Sequence, residues 1–546
     1  MTRALKRPLR KLWGKKVDRI SMLLALICVS CIFVPLATMF AQMDGDVIQK
    51  VIGGPQFGSA LLHSLIAAAL STLISVTLAY LLASAIWRSS IGCKGLLSVI
   101  IVLPMLIPSI SHGMGLVLLF GNNGLLTGFL GSGTIYGLGG IVIGSVLYSL
   151  PVAYLMFADI MKYEDNSPYE AAKVLGIPPI RRFFCITLPY LKKPLISIIF
   201  STFTLVITDY GVPLMIGGKY TTIPVVMYQE VIGQLDFAKG AVYGTILLIP
   251  AVLAFVIDLC NKDQKRIGFV EKTVQPSKNR LVTCVSYLFC SVVAIAIILP
   301  VLAFVLLAFA EDYPSRLVFT FDNVLKTLQL RAGEYLLNSV LVALGVSVLG
   351  VVIAFITAYL SSRMKSKTGK FLHLSIITTA AIPGIVLGLS YVLTFRTSPI
   401  YGTLVILILV NMVHFIASPY LMIYNSLSKV NENLEGVGHT LGIDRFHMIK
   451  DVILPICRET LAEMFAYFFV NCMMTISAVS FLATTANKPV SLMINQFEAQ
   501  SQLGAAAVVS LMILLVNLAM KGIVRVIRRQ IGAGRISRYS DLFSRH

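Results

Sequence analysis

Few side chains in this 546-residue sequence could do chemistry, and their spacing limits what that chemistry could be. Asp209 stands near the end of an apolar stretch, where an ionisable group is costly and a functional role is the first reading. An interfacial carboxylate or a helix-packing partner is the plainer one. His112, in SISHGMG, and His63 and His414, near the ends of other apolar stretches, read as packed or hydrogen-bonded rings. No chain of Asp, Glu and His accompanies them, so a proton relay is not expected. The nine cysteines lie mostly within or beside apolar segments and read as small core residues, not as a metal site or a disulfide frame. No G-x-x-x-x-G-K-[ST] occurs, so nothing here is expected to cradle the phosphates of ATP. No polar constellation suits an enzyme. Catalytic residues, a bound cofactor and a metal are therefore not expected, and any energy source must be a partner.

The densest pattern is PYEAAKVLGIPPIRRFFCITLP, Pro168 to Pro189. Glu170, Ala171, Ala172 and Leu175 have helical spacing, and Gly176 is a natural helix stop. Ile177-Pro178-Pro179 forces a turn, after which Arg181 to Leu188 is predicted to form a second short helix ending before Pro189. A helix–turn–helix of this kind, lying at a membrane surface, suits insertion into a groove on another protein. A second copy reads LEGVGHTLGIDRFHMIKDVILP, Leu434 to Pro455. Gly442 and Leu454-Pro455 match, but Gly436-Val437-Gly438 replaces the EAA triplet and Glu435 stands one position early. Its helix is expected to be less stable, since two glycines cost roughly 1 kcal/mol each against alanine.

The elements that position these loops are membrane spans. The chain is 57% hydrophobic and 13% charged, against roughly 45–50% and about 25% in soluble domains, with mean hydropathy +0.85. Apolar blocks at approximately 20–43, 59–86, 95–120, 138–161, 194–216, 238–260, 282–310, 336–361, 371–395, 403–425, 459–484 and 502–524 make twelve transmembrane helices, each near the length that crosses ~30 Å of hydrocarbon. The net charge of +20 arises from basic residues between these blocks, as cytoplasmic loops require, and does not point to nucleic acid. The run Arg3 to Arg19 places the N-terminus inside. Alternation then places inside 162–193, with Arg181 and Arg182; 261–281, with Lys262, Lys265 and Arg266; 362–370, with Lys365; 426–458; and the C-terminus, with Arg528 and Arg529. Ile20–Met43 is too long for a signal-peptide core and is expected to be a retained first helix.

The halves repeat. At an offset of 275, LLHS (Leu61–Ser64) meets LLNS (Leu336–Ser339), Pro108 meets Pro383 and Gly113 meets Gly388. At 266, YLM (Tyr154–Met156) meets YLM (Tyr420–Met422), Gly176 meets Gly442 and Leu188-Pro189 meets Leu454-Pro455. The change of nine falls near 121–137, where the first half carries extra Gly-rich sequence. An even number of spans per half gives a parallel repeat about an axis along the membrane normal, with a solute path expected between the halves. The expected organisation is a basic segment and first helix (1–56), a first half (57–260), a cytoplasmic linker (261–281), a seventh helix with an external loop (282–334), a second half (335–528) and a basic tail (529–546).

EAA, then Gly, then I-x-LP resembles the coupling loop of binding-protein-dependent ABC import permeases, the group that includes the maltose and molybdate importers. The resemblance covers about 57–528. It implies the type I importer fold in a multi-pass bacterial inner membrane protein with both termini cytoplasmic. It also implies a pair of separate ABC ATPase subunits, expected as a homodimer and carrying ATP and Mg, and an extracytoplasmic solute-binding protein. Glu170, Ala171, Ala172, Gly176, Leu188, Pro189, Glu435, Gly442, Leu454 and Pro455 would form the ATPase-coupling loops. DYGVP (Asp209–Pro213) with Gly217-Gly218, and TISAVSFL (Thr475–Leu482), resemble the fused ferric-iron, thiamine and 2-aminoethylphosphonate branch. They leave a phosphonate or ferric iron as the solute. Thr208 and Asp209, with Ser477 and Ser480 taken as one helical face apart from Thr475, are the expected solute path. The competing reading, an ion-coupled twelve-helix carrier, predicts charged relays inside the spans and no paired surface loops.

Overall fold

In the computed structural model the described residues are 22–130, 133–162, 164–261, 276–277, 279–313, 316–363, 367–431 and 433–543. The basic run Arg3 to Arg19, Lys262, Lys265, Arg266 with most of the linker, and Lys365 lie outside them. The fold is all-α apart from a two-stranded hairpin of Ala310–Asp312 and Arg316–Phe319. Helices dominate because hydrocarbon offers no partner to backbone N–H and C=O groups, so each segment must satisfy its own.

Among the described residues, eight helices are long and apolar enough to cross a membrane, and the number reaches 11 if each of three bent pairs is one span. Two of the bends, 103° between Lys94–Leu106 and Ser109–Phe120 and 110° between Lys367–Ala381 and Gly384–Phe395, fall at Pro108 and Pro383. Proline lacks the donor for the helical bond and disfavours helix in the residue before it. The third, 54° between Leu404–Phe415 and Ala417–Ser428, falls where Pro419 withdraws the hydrogen bond to the carbonyl four residues earlier. The expected span 459–484 is corrected. Its helix is Leu454–Met474, which carries Arg458, Glu459 and Glu463 near its start and gives way to turns after Met474.

The repeat is written into element boundaries. Phe57–Arg88 and Ala332–Arg363 are both 32 residues long and start 275 apart. From Leu138 and Leu404 onward the starts keep 266, through Ser167–Val174 and Asn433–Thr440 and on to Leu188 and Leu454. One long-range hydrogen bond is repeated as well: Ser64 Oγ accepts from Ile223 N at 2.8 Å, and Ser339 Oγ from Val490 N at 2.8 Å.

The chain forms two compact units. One comprises Asp44–Ala332 with Ser491–Met512, the other the chain up to Met43, Gly333–Val490 and the chain from Ile513 onward. In the first, small residues on Phe57–Arg88 (Ala60, Ser64, Ala67, Ser71, Ser75, Ala79) recur at helical spacing and are buried. They bring Leu138–Lys162 close, and Ser75 Oγ meets Ser149 Oγ at 2.7 Å. Helix Arg280–Phe309, which precedes the second repeat in sequence, packs here; a Cβ on Gly115 would come within 2.7 Å of Pro300 Cβ. In the other unit, helix Met22–Phe40 packs with the second repeat, and the Tyr391 hydroxyl donates to the Cys31 carbonyl at 2.7 Å.

Gly113 and Gly388 meet the same obstacle in the two units. A Cβ on Gly113 would lie 2.8 Å from Met215 Cβ and 3.2 Å from the Val212 carbonyl oxygen; on Gly388 it would lie 2.7 Å from the Ala478 carbonyl oxygen. Gly113→Val and Gly388→Val should each destabilise by roughly 1–3 kcal/mol through overpacking. Purified protein should show a Tm lower by several degrees for both, while Gly58→Ala, with open space around it, should leave Tm unchanged.

Candidate functional site: a surface loop built twice

The loop between Leu138–Lys162 and Leu188–Ile207 begins with helix Ser167–Val174, which has Pro168 in its first turn, where the missing N–H costs nothing. It stops at Gly176, whose φ of +65° is left-handed. Gly176 N donates to the Lys173 carbonyl at 3.1 Å and Ile177 N to the Ala172 carbonyl at 3.0 Å, the paired bonds of a Schellman stop. Pro179 then opens the short helix Pro179–Arg182. In the second copy Gly442 has φ +76°, and Ile443 N donates to the Gly438 carbonyl at 2.9 Å. The helix starts at Arg445, and Asp444 caps it by accepting from Phe446 N at 3.3 Å.

The expectation that the second short helix ends before Pro189 is corrected. Both copies run on through a five-residue π-helical turn, Phe183–Thr187 and Ile449–Ile453, directly into Leu188–Ile207 and Leu454–Met474. The Leu-Pro pairs explain it. Pro189 and Pro455 have no N–H to give and crowd the carbonyl four residues back, which a widened turn accommodates.

The outward side of each loop is apolar. Leu175 is 74% exposed and its counterpart Leu441 70%; Ile180 and its counterpart Phe446 are exposed too. The inward side is closed. Ala172 is buried at 3%, and at the matching Gly438 a Cβ would collide with the Met448 side chain. Gly436, matching Glu170, has nothing within 4 Å. Glu170 itself is exposed and accepts from Asn166 Nδ2 at 2.8 Å. Ala171, Leu188, Pro189 and Pro455 are exposed, and Leu454 is half-buried.

Two arginines that sequence reasoning missed hold these loops. Arg88, the last residue of Phe57–Arg88, donates to both carboxylate oxygens of Glu164 at 2.7 and 2.8 Å. The Tyr169 hydroxyl donates to Glu164 at 2.5 Å and meets Thr187 Oγ1 at 2.9 Å. Burial first, and then Glu164, pushes the Tyr169 hydroxyl up to about 12. Arg363, at the end of Ala332–Arg363, donates to the Leu427 and Val430 carbonyls at 2.9 Å each and lies 3.6 Å from Glu435. The signal available was the equal offset of two arginines at helix ends.

The residues expected on the solute path lie outside the two loops. Thr208 Oγ1 donates to the Thr204 carbonyl at 2.8 Å, and the Asp209 carboxylate accepts from Gly211 N at 3.3 Å and Val212 N at 3.0 Å. The helical face drawn through Ser477 and Ser480 is corrected, because the helix has ended at Met474. Ser480 Oγ donates to the Ile476 carbonyl at 2.5 Å, both serines are half-buried and Thr475 is buried. His63 Nδ1 lies 3.0 Å from the Thr221 carbonyl with its ring stacked on Tyr220. Among the described residues, no group of three or more His, Cys, Asp or Glu could hold a metal ion.

The profile for binding-protein-dependent transport system inner membrane components matches twice, at residues 75–262 and 350–532, and each match contains one of the loops. The chain belongs to this family of transport permeases. Among its relatives, a putative ferric transport system permease of Haemophilus influenzae is 24% identical over 401 residues, 70% of this chain. The match spans 63% of that relative, just under two thirds of its length. An Fe(3+)-transport system permease of the same organism is 22% identical over 508 residues, 90% of this chain and 93% of the relative. A thiamine transport system permease of Brucella abortus is 26% identical over 211 residues, 37% of this chain and 39% of the relative. The family places this multi-pass protein in the inner membrane and among transporters, not enzymes.

Both loop glycines are in open space, so Gly176→Ala and Gly442→Ala should each cost about 1–2 kcal/mol through the left-handed backbone alone. Gly436→Ala should instead stabilise its helix by roughly 1 kcal/mol. Hydrogen exchange of the loop amides should quicken in the first two variants and slow in the third.

Proposed function

We propose that the chain is the translocation subunit of an ATP-binding-cassette importer, and that its two loops receive separate ATPase subunits, one at each loop. The observation that carries this reading is the exposed apolar crest at matching positions, Leu175 with Ile180 and Leu441 with Phe446. Two stretches of different sequence keep one backbone and one outward apolar face, as a shared groove on two identical partners requires. ATP and Mg reside on those partners, and this chain's own residues supply only the mechanical contact. Closure of the ATPase pair would move the loops and drive alternating access, with solute delivered by an extracytoplasmic binding protein. The loops, both termini and the linker are then cytoplasmic.

Ferric iron is the solute we place first, because the ferric relatives match most of the chain. A phosphonate is the alternative. The DYGVP-x-x-x-GG pattern has a structural account: Asp209 accepts from the amides of Gly211 and Val212, and Gly218 turns the chain at φ +57°. The pattern therefore carries little information about solute. Thr208, Asp209, Ser477 and Ser480 stand as the proposed solute contacts.

The test is uptake and ATP hydrolysis by the permease reconstituted with its ATPase and binding protein. Glu170→Lys, Leu175→Asp and Leu441→Asp should each abolish solute-stimulated hydrolysis. Alanine at Thr208, Asp209, Ser477 or Ser480 should instead lower uptake of radiolabelled ferric iron while ATPase subunits stay bound. Normal stimulation in all three loop variants would refute docking at the loops, and uptake of 2-aminoethylphosphonate in place of iron would reverse the solute order.

A further inference from the structure

The two arginines at the ends of Phe57–Arg88 and Ala332–Arg363 occupy equivalent places, yet their partners differ in kind. Arg88 has a carboxylate, Glu164, at the entry to its loop, with Tyr169 from the loop helix and Thr187 from the loop exit on the same network. The Arg88 guanidinium also lies 5.4 Å from the centre of the Tyr169 ring. One side chain thus ties the end of the first helix to the start, middle and end of the loop. Among the described residues, Arg363 has no such carboxylate at the entry. The residue matching Glu164 is Val430, whose carbonyl oxygen takes the bond at 2.9 Å. The residue matching Tyr169 is Glu435, whose carboxylate supplies the charge from the loop helix itself at 3.6 Å. The side chain of Glu164 is 3% exposed and that of Arg363 5%, while Arg88 and Glu435 are 26% and 25% exposed, so each pair is partly sheltered from the screening that makes surface pairs weak. The early glutamate of the second loop thus stands where the first loop has Tyr169 and brings a carboxylate beside Arg363.

We propose that Arg88 and Arg363 are positioning residues that clamp the two loops to the first helix of their own repeat, so that a push on either loop moves that helix. The proposal rests on the docking reading for what supplies the push, but the clamp is a property of this chain alone. It is tested on the full chain in lipid nanodiscs, with the native cysteines replaced and Ala172→Cys as a reporter on the buried side of the first loop. Coupled buried pairs shift equilibria by roughly 2–100-fold. Arg88→Ala should raise the rate of maleimide labelling at position 172 about tenfold, while Arg88→Lys should stay within about threefold of the parent. In the second loop, Arg363→Ala should lower solute-stimulated hydrolysis at least ~5-fold in the reconstituted complex, and Arg363→Lys, which can still donate to the Leu427 and Val430 carbonyls, should recover most of it. An unchanged labelling rate in Arg88→Ala overturns the clamp, as does unchanged hydrolysis in Arg363→Ala. If Glu170→Lys, Leu175→Asp and Leu441→Asp all keep full stimulation while Arg88→Ala still exposes position 172, the docking reading falls and the clamp stands.

Discussion

A loop that carries a short helix between two membrane-embedded segments has to satisfy that helix's terminal carbonyls while reversing direction. Here a glycine in the left-handed conformation does this for Ser167–Val174 at Gly176 and for Asn433–Thr440 at Gly442. The Schellman bonds close the helix end, and the next residues start a second short helix at once. Everything distinctive about the loops follows from that stop. It fixes which side chains face inward, where Ala172 and Gly438 are buried, and which face outward, where Leu175 and Leu441 stand exposed. A residue with a Cβ would strain the turn without meeting any neighbour, so the requirement lies in the backbone and not in packing.

Prolines complement these glycines. Pro108 and Pro383 break long apolar stretches, and Pro189 and Pro455 follow π-helical turns through which the chain leaves each loop. Gly113 and Gly388 then let the half-helices beyond the breaks approach the segments at Val212 and Ala478. The same few devices appear twice in order, so two stretches with little sequence in common keep one backbone. The partners of Arg88 and Arg363 show how far this extends. A carboxylate, a phenol and a carbonyl exchange places around an arginine that ends the matching helix of each repeat.

Much of this was legible in the sequence because it is local. The offsets of 275 and 266, read from residues such as Pro108, Gly113 and Gly176, coincide with the starts of helices. Glycine and proline act on the backbone where they stand. What was not legible depends on distant partners. The turns after Met474 look apolar enough to be helix, and only the structure shows Ala478 taken up against Gly388. Glu435 reads as a misplaced motif residue until Arg363, far away in sequence, is placed beside it. Likewise, hydropathy marks Met22–Phe40 and Arg280–Phe309 as spans without saying which repeat each packs with.

The central claim is that the two loops are equivalent docking surfaces despite unequal sequences. Single cysteines at Leu175 and Leu441, in a background without native cysteines, test it most directly through cross-linking to the ATPase subunits of the assembled importer. The account predicts that both positions cross-link to a similar extent, and that the double variant captures two ATPase subunits per chain. Cross-linking at one position only, or at neither, would contradict it.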